Sequence, residues 1–153
     1  MHTRISALVY SLATVVTIAA VMVVNTATAA EKKVGDYIIY YNAFNSSFLQ
    51  PDVASNYKIP RSGLTAVLNV SIHKDGKPTE QVAVPANVQG KVTNSLSQFS
   101  ELGFKEVKEE QAIYYIADFQ FRPEEDTSIE FTVRVPGMQR PETISFKQKF
   151  YSE

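Results

Sequence analysis

Alternation of apolar and polar residues with a period of two is the feature that most limits what this chain can form. It is clearest at Leu64 to Ile72, where Leu64, Ala66, Leu68, Val70 and Ile72 share one face. Thr65, Asn69, Ser71 and His73 fall on the other. A strand turns successive side chains to opposite faces, so this pattern predicts one buried and one wet face of an antiparallel strand. Asp75-Gly76 follows, a pair suited to a tight hairpin because both central positions need positive φ. The return strand is expected over about Thr79 to Val84, ending at Pro85, which has no N–H to give to a ladder.

The same reasoning marks further strands. Tyr37 to Tyr41 is short and aromatic, and Gln111 to Arg122 sets Ile113, Tyr115, Ala117, Phe119 and Phe121 on one face. Ile129, Phe131, Val133 and Val135 alternate with Glu130, Thr132 and Arg134. Ile144, Phe146 and Phe150 alternate with Ser145, Lys147 and Lys149, after a turn marked by Pro136-Gly137 and Pro141. Pro51 to Tyr57 fits one helical turn, since proline suits a first helical position. Gln89 to Phe104 fits neither period, which leaves a strand, a short helix and a bulge open there. Short strands at hairpin spacing without a long helix predict an all-β fold, a two-sheet antiparallel sandwich, with barrel closure as the alternative. Paired cysteines and a core tryptophan are absent, so the fold is immunoglobulin-like in architecture only.

The first thirty residues predict location. Met1 to Arg4 is basic, Ile5 to Val24 is apolar or small, and Ala27-Thr28-Ala29-Ala30 precedes the charged Glu31-Lys32-Lys33. That order is the one found in a secretory signal peptide. An apolar run of about twenty residues could also span a bilayer. The small residues at 27–30 favour cleavage after Ala29 or Ala30, with no transmembrane segment in what remains. Residues 31–153 then form one domain, long enough to bury roughly two thirds of its unfolded surface without staples. An exported chain of 153 residues with no cysteine points to a bacterial periplasm. Net charge is −1 and the signs are interspersed, so no basic stripe offers itself to nucleic acid.

Three segments resemble one exported bacterial family. They are Gly35 to Leu49 (GDYIIYYNAFNSSFL), Ala112 to Ala117 (AIYYIA) and Phe146 to Tyr151 (FKQKFY). The family is labelled domain of unknown function 4426 and occurs chiefly in gammaproteobacteria. The resemblance runs in order through essentially all of residues 31–153. It implies a periplasmic β-sandwich, brings no known activity, and supplies no catalytic residue to carry over.

The chemistry the residues could support is sparse. His73 is the single histidine after the leader, and it falls on the wet face at a strand end. A Ser-His-Asp arrangement would have to be built on it, and no Gly-x-Ser-x-Gly elbow is present. Glu106, Glu109 and Glu110, and then Glu124, Glu125 and Asp126, read as solvated turn charge rather than as a glycosidase pair. No spaced calcium loop and too few His or Cys for zinc occur, so neither metal nor cofactor is expected. Asn45-Ser46-Ser47 and Asn69-Val70-Ser71 match the glycosylation pattern, which matters only in a eukaryotic secretory pathway.

The aromatic residues stand above this background. In Tyr40-Tyr41 and Tyr114-Tyr115 one ring of each pair enters the core and the other faces outward. The alternation assigns Tyr115 inward and Tyr114 outward. If their strands are neighbours, Tyr40 and Tyr114 make a patch fit for a sugar ring or a peptide; otherwise they merely brace the sheet. Asn42 to Phe48 is the second candidate: a loop in which Asn42, Asn45 and the serines offer hydrogen bonds beside apolar phenylalanine anchors, or simply a turn that tucks Phe44 and Phe48 under the sandwich. The reading is a non-enzymatic periplasmic module for a protein or glycan partner. A hydrolase or metal-dependent enzyme using His73 with nearby carboxylates, and a structural envelope component, are the alternatives.

Overall fold

The computed structural model describes residues 29–76 and 82–153. The apolar leader and part of the expected Thr79 to Val84 strand lie outside the described residues. Among the described residues nine strands form two sheets in which every pairing is antiparallel. In chain order they are β1 (Ala30–Val34), β2 (Tyr37–Asn45), β3 (Thr65–Lys74), β4 (Asn87–Thr93), β5 (Phe99–Glu101), β6 (Lys105–Glu109), β7 (Ala112–Gln120), β8 (Asp126–Arg134) and β9 (Glu142–Lys149). A short 3-10 turn, Ser46–Phe48, and helix α1, Pro51–Asn56, separate β2 from β3. One sheet runs β1-β2-β3-β7-β6 and the other β5-β4-β8-β9. Neither closes, so the sandwich holds and the barrel does not.

The inner faces follow the alternation. Ala66, Leu68, Val70 and Ile72 of β3 meet Tyr115, Ala117 and Phe119 of β7 and Ile129, Phe131 and Val133 of β8 in one core. Tyr115 therefore enters the core, as the alternation of its strand requires. Phe131 has no exposed surface, and Tyr41 stands edge-on to it with ring centroids 5.4 Å apart.

The outer face of the larger sheet departs from expectation. It is not wet along its length: Thr65, Val67, Ser71 and Ile116 are buried. Residues 46–64 fold back over it, and Ile59 joins Val67, Val107 and Ile116 in a second cluster, with Phe44, Leu49, Tyr57 and Tyr114 packed around. Period-two alternation reports one buried face and is silent about a covering loop on the other. Leu64 also leaves the expected core, because β3 starts one residue later and Leu64 is exposed.

Two segments differ from their expected form. Asp75-Gly76 is not a tight hairpin: the His73–Ala83 bridge, with Lys74 N–H donating to Val82 O at 2.9 Å, sets the closure at a wider loop. Asp75 is engaged elsewhere, its N–H on Asp36 O at 2.6 Å and its carboxylate on Lys33. That contact braces the β1–β2 turn, where Gly35 takes the positive φ (57°) of a two-residue hairpin. Asn42 to Phe48 is not a loop, since Asn42 to Asn45 continue β2 and Ser46–Phe48 is the 3-10 turn. Phe44 does pack inward on the second cluster, whereas Phe48 is 69% exposed.

Candidate functional site

Two surfaces offer chemistry. The first is the outer face of the larger sheet around Tyr40 and Ser71. Tyr40 on β2 pairs in register with Ser71 on β3, and Asn42 with Asn69. Val70 pairs with Tyr115, so Tyr114 lies one residue beyond, on the other side of Ser71. The strands bearing the two tyrosines are thus not neighbours; β3 separates them, and the small Ser71 lies between the two rings' positions. Tyr40 stands edge-on to His73 with centroids 5.5 Å apart and 79° between planes. Tyr114 is half-buried in the second cluster. Asn45 is buried and donates its side-chain N–H to Tyr151 O at 2.7 Å, which pins the C-terminal segment.

His73 is half-buried, not the exposed strand-end histidine expected, because Tyr40 covers one side of it. Its Nδ1 and the Oδ1 of Asn69 are buried without a hydrogen-bond partner among the described residues. No carboxylate or hydroxyl among the described residues is hydrogen-bonded to its Nδ1. Nor do three His, Cys, Asp or Glu side chains among the described residues cluster as a metal-holding group. Burial holds the imidazole below the usual 6.5 by penalising its charged form. The unfolded chain therefore takes up a proton before the folded one. Stability conferred by the neutral ring is fully present above 6.5 and is lost as pH falls through the lowered folded value. The expected result is a urea midpoint that drops between pH 7 and about 5, and a His73→Gln variant in which that drop is smaller. Equal drops in both proteins would assign the pH dependence to other groups.

The second surface is the edge of the smaller sheet. Sheet edges present unpaired N–H and C=O groups, and lysine is a common guard against unwanted pairing. Three of the four edges carry two lysines each: Lys32 and Lys33 on β1, Lys105 and Lys108 on β6, Lys147 and Lys149 on β9. The fourth, β5, reads Phe99-Ser100-Glu101 and carries none. Leu102 N–H donates to Gly90 O at 2.8 Å and Asn94 N–H to Gln98 O at 2.9 Å, with Ser100 opposite Val92 between them. Alternation along an antiparallel ladder then turns the N–H and C=O of Phe99 and Glu101 away from β4. Phe99 is 66% and nearby Leu96 61% exposed. Glu101 has no ion-pair partner among the described residues.

The hairpin behind this edge is firmly built. Asn94 Oδ1 accepts from Leu96 N–H at 3.0 Å and Gln98 N–H at 2.9 Å, while Asn94 Nδ2 donates to Gln98 Oε1 at 2.9 Å. Across the sandwich, β6 pairs only with Ala112 to Ile116 of β7, leaving residues 117–120 without a ladder partner on that side. Between that free stretch and β5 lies a cavity of about 250 Å³, with Asn94, Gln98, Ser100, Arg122, Glu125 and Asp126 among its walls. Ser95 Oγ donates to Glu125, and Asp126 lies 3.8 Å from Lys149. The sequence leaves a strand, a short helix and a bulge open here, because a three-residue strand is too short to show a period. Leu96 and Phe99, isolated in a polar stretch after the turn-forming Asn94, were the available signal.

An open pair of antiparallel sheets packed face to face is a sandwich-like all-β domain, immunoglobulin-like in architecture only. The chain belongs to the family described as Domain of unknown function (DUF4426), whose model matches residues 31–153. A DUF4426 family protein from Pseudomonas aeruginosa PAO1 is 34% identical, with a TM-score of 0.71 over 82% of this chain and 96% of that one. FetP of uropathogenic Escherichia coli, expressed in the periplasm, is 12% identical with a TM-score of 0.57 over 82% and 95% of the two chains. A copper-bound variant of FetP gives 12% and 0.58 over 82% and 96%. These two likenesses carry the fold alone. No curated protein matches the chain.

Proposed function

We propose that this chain is a non-enzymatic periplasmic binding module that takes an extended segment of a partner protein as an added strand on β5. The single observation that carries this is the contrast between β5, bare of lysine and bearing exposed Phe99 with exposed Leu96 nearby, and the three lysine-guarded edges. An added strand gains affinity from main-chain hydrogen bonds and specificity from alternate side chains. The periplasmic location is supported by the leader's order of basic start, apolar run and small residues. Among the described residues no helix is long and apolar enough to cross a membrane.

The test is site-directed photo-crosslinking in the periplasm, with the reactive side chain at position 99 and, as a control, at position 145 on β9. A partner adduct of one defined mass is expected from 99 and not from 145. Glu101→Pro removes an outward N–H and no ladder bond, so it should abolish that adduct while leaving the melting temperature close to wild type. An adduct that survives Glu101→Pro in a folded protein, or equal adducts at both positions, would overturn strand addition at β5.

A further inference from the structure

We infer that the cavity beside β5 selects the partner strand by receiving one lysine or arginine side chain from it, an inference that rests on strand addition at that edge. A strand laid along β5 must alternate. Residues opposite Phe99 and Glu101 face outward, and the residue opposite Ser100 faces into the sandwich. Ser100 is itself part of the cavity wall, so that inward side chain has the cavity in front of it.

The walls fit a long cationic side chain better than any other. Val92 and Phe121 contribute apolar surface, suited to an aliphatic stem of four carbons. Glu125 and Asp126 contribute two carboxylates against the single guanidinium of Arg122 in the wall, with Lys149 3.8 Å from Asp126 outside it. A volume of about 250 Å³ holds such a side chain with its water and is too small for a folded element. Glutamate would gain Arg122 and face two like charges. An aliphatic residue would leave the polar wall unanswered. The side chains flanking the inserted residue lie beside Phe99 and Glu101, so an apolar neighbour on the Phe99 side completes the match.

The probes are three blocked seven-residue peptides of alternating threonine and valine, identical except for lysine, norleucine or glutamate at the centre. Binding to residues 30–153 is read by fluorescence anisotropy and by amide shifts at Phe99, Glu101 and Gln98. The lysine peptide is expected to bind about ten-fold more tightly than the norleucine peptide, and more tightly again than the glutamate peptide. The double variant Glu125→Gln, Asp126→Asn should bring the lysine peptide to the norleucine level and leave the norleucine peptide unchanged, with its melting temperature as the control for folding. Equal binding of all three peptides, with amide shifts along β5, would overturn the cavity's role while strand addition stands. Tightest binding of the glutamate peptide would overturn the cationic assignment and assign Arg122 to the ligand. An absence of shifts along β5 with every peptide would overturn both.

Discussion

Replacing Tyr115 by alanine should cost about 3–5 kcal/mol, a large share of a typical domain's stability. Tyr115 is 4% exposed and lies in the main core. Its hydroxyl also ties β6 to the segment that enters β4, since it accepts from Ala86 N–H at 2.7 Å and donates to Glu106 at 2.9 Å. Tyr115→Phe keeps the ring and leaves the Ala86 N–H without its acceptor, so it should cost about 1–3 kcal/mol. The phenol's pKa is raised, by burial first and by the neighbouring Glu106 carboxylate as well. Its neutral form therefore supports the fold below the ordinary value of 10, and that support is lost as pH rises through the folded value. Tyr114 is only half-buried against the second cluster, so Tyr114→Ala should cost less than half as much. Urea denaturation of the three variants checks the order. A Tyr114→Ala loss equal to that of Tyr115→Ala would mean that the outer cluster, not the inner face, anchors β7.

The inner faces were legible in the sequence because burial between two sheets imposes a strict period of two. Ile129, Phe131 and Val133 repeat it and are all fully buried. What escaped was whatever a neighbour elsewhere in the chain decides. Val67 and Ile116 lie on faces that alternation assigns to water, and they are buried because Ile59 and Tyr57 return across them. The polar strand β1, Ala30–Val34, has no apolar alternation and forms through pairing with β2 alone. Of the four residues singled out for binding, Tyr40, Asn42 and Tyr114 share the outer face, whereas Asn45 is committed to the C-terminal segment. The unguarded edge could not be read from residue types, since a missing lysine carries meaning only once the other three edges are known. Its cavity joins Ser100 to Arg122 and Glu125, groups brought together by the sandwich rather than by sequence spacing.

The second large effect should come from Phe131, which stands opposite Gly90 on β4. Phe131→Ala removes a fully buried ring beside Tyr41 and should cost about 3–5 kcal/mol. Gly90 meets the same residue from the other side. A Cβ there would lie 2.8 Å from Phe131 Cβ and 2.6 Å from the main-chain oxygen of Glu130, so Gly90→Ala must push β4 away from β8. Overpacking of this kind costs about 1–3 kcal/mol or more. Neighbouring substitutions often compensate, a smaller partner making room for a larger one. Here they cannot, because alanine at 131 keeps the Cβ and the backbone that obstruct position 90. The double variant should therefore lose close to the sum of the two single losses, with coupling below about 0.5 kcal/mol. Because Gly90 O also accepts the Leu102 N–H that holds β5 in place, Gly90→Ala should increase hydrogen exchange at Leu102 more than Phe131→Ala does. Rescue of Gly90→Ala by Phe131→Ala would show that the ring, not the backbone of β8, sets how closely β4 approaches.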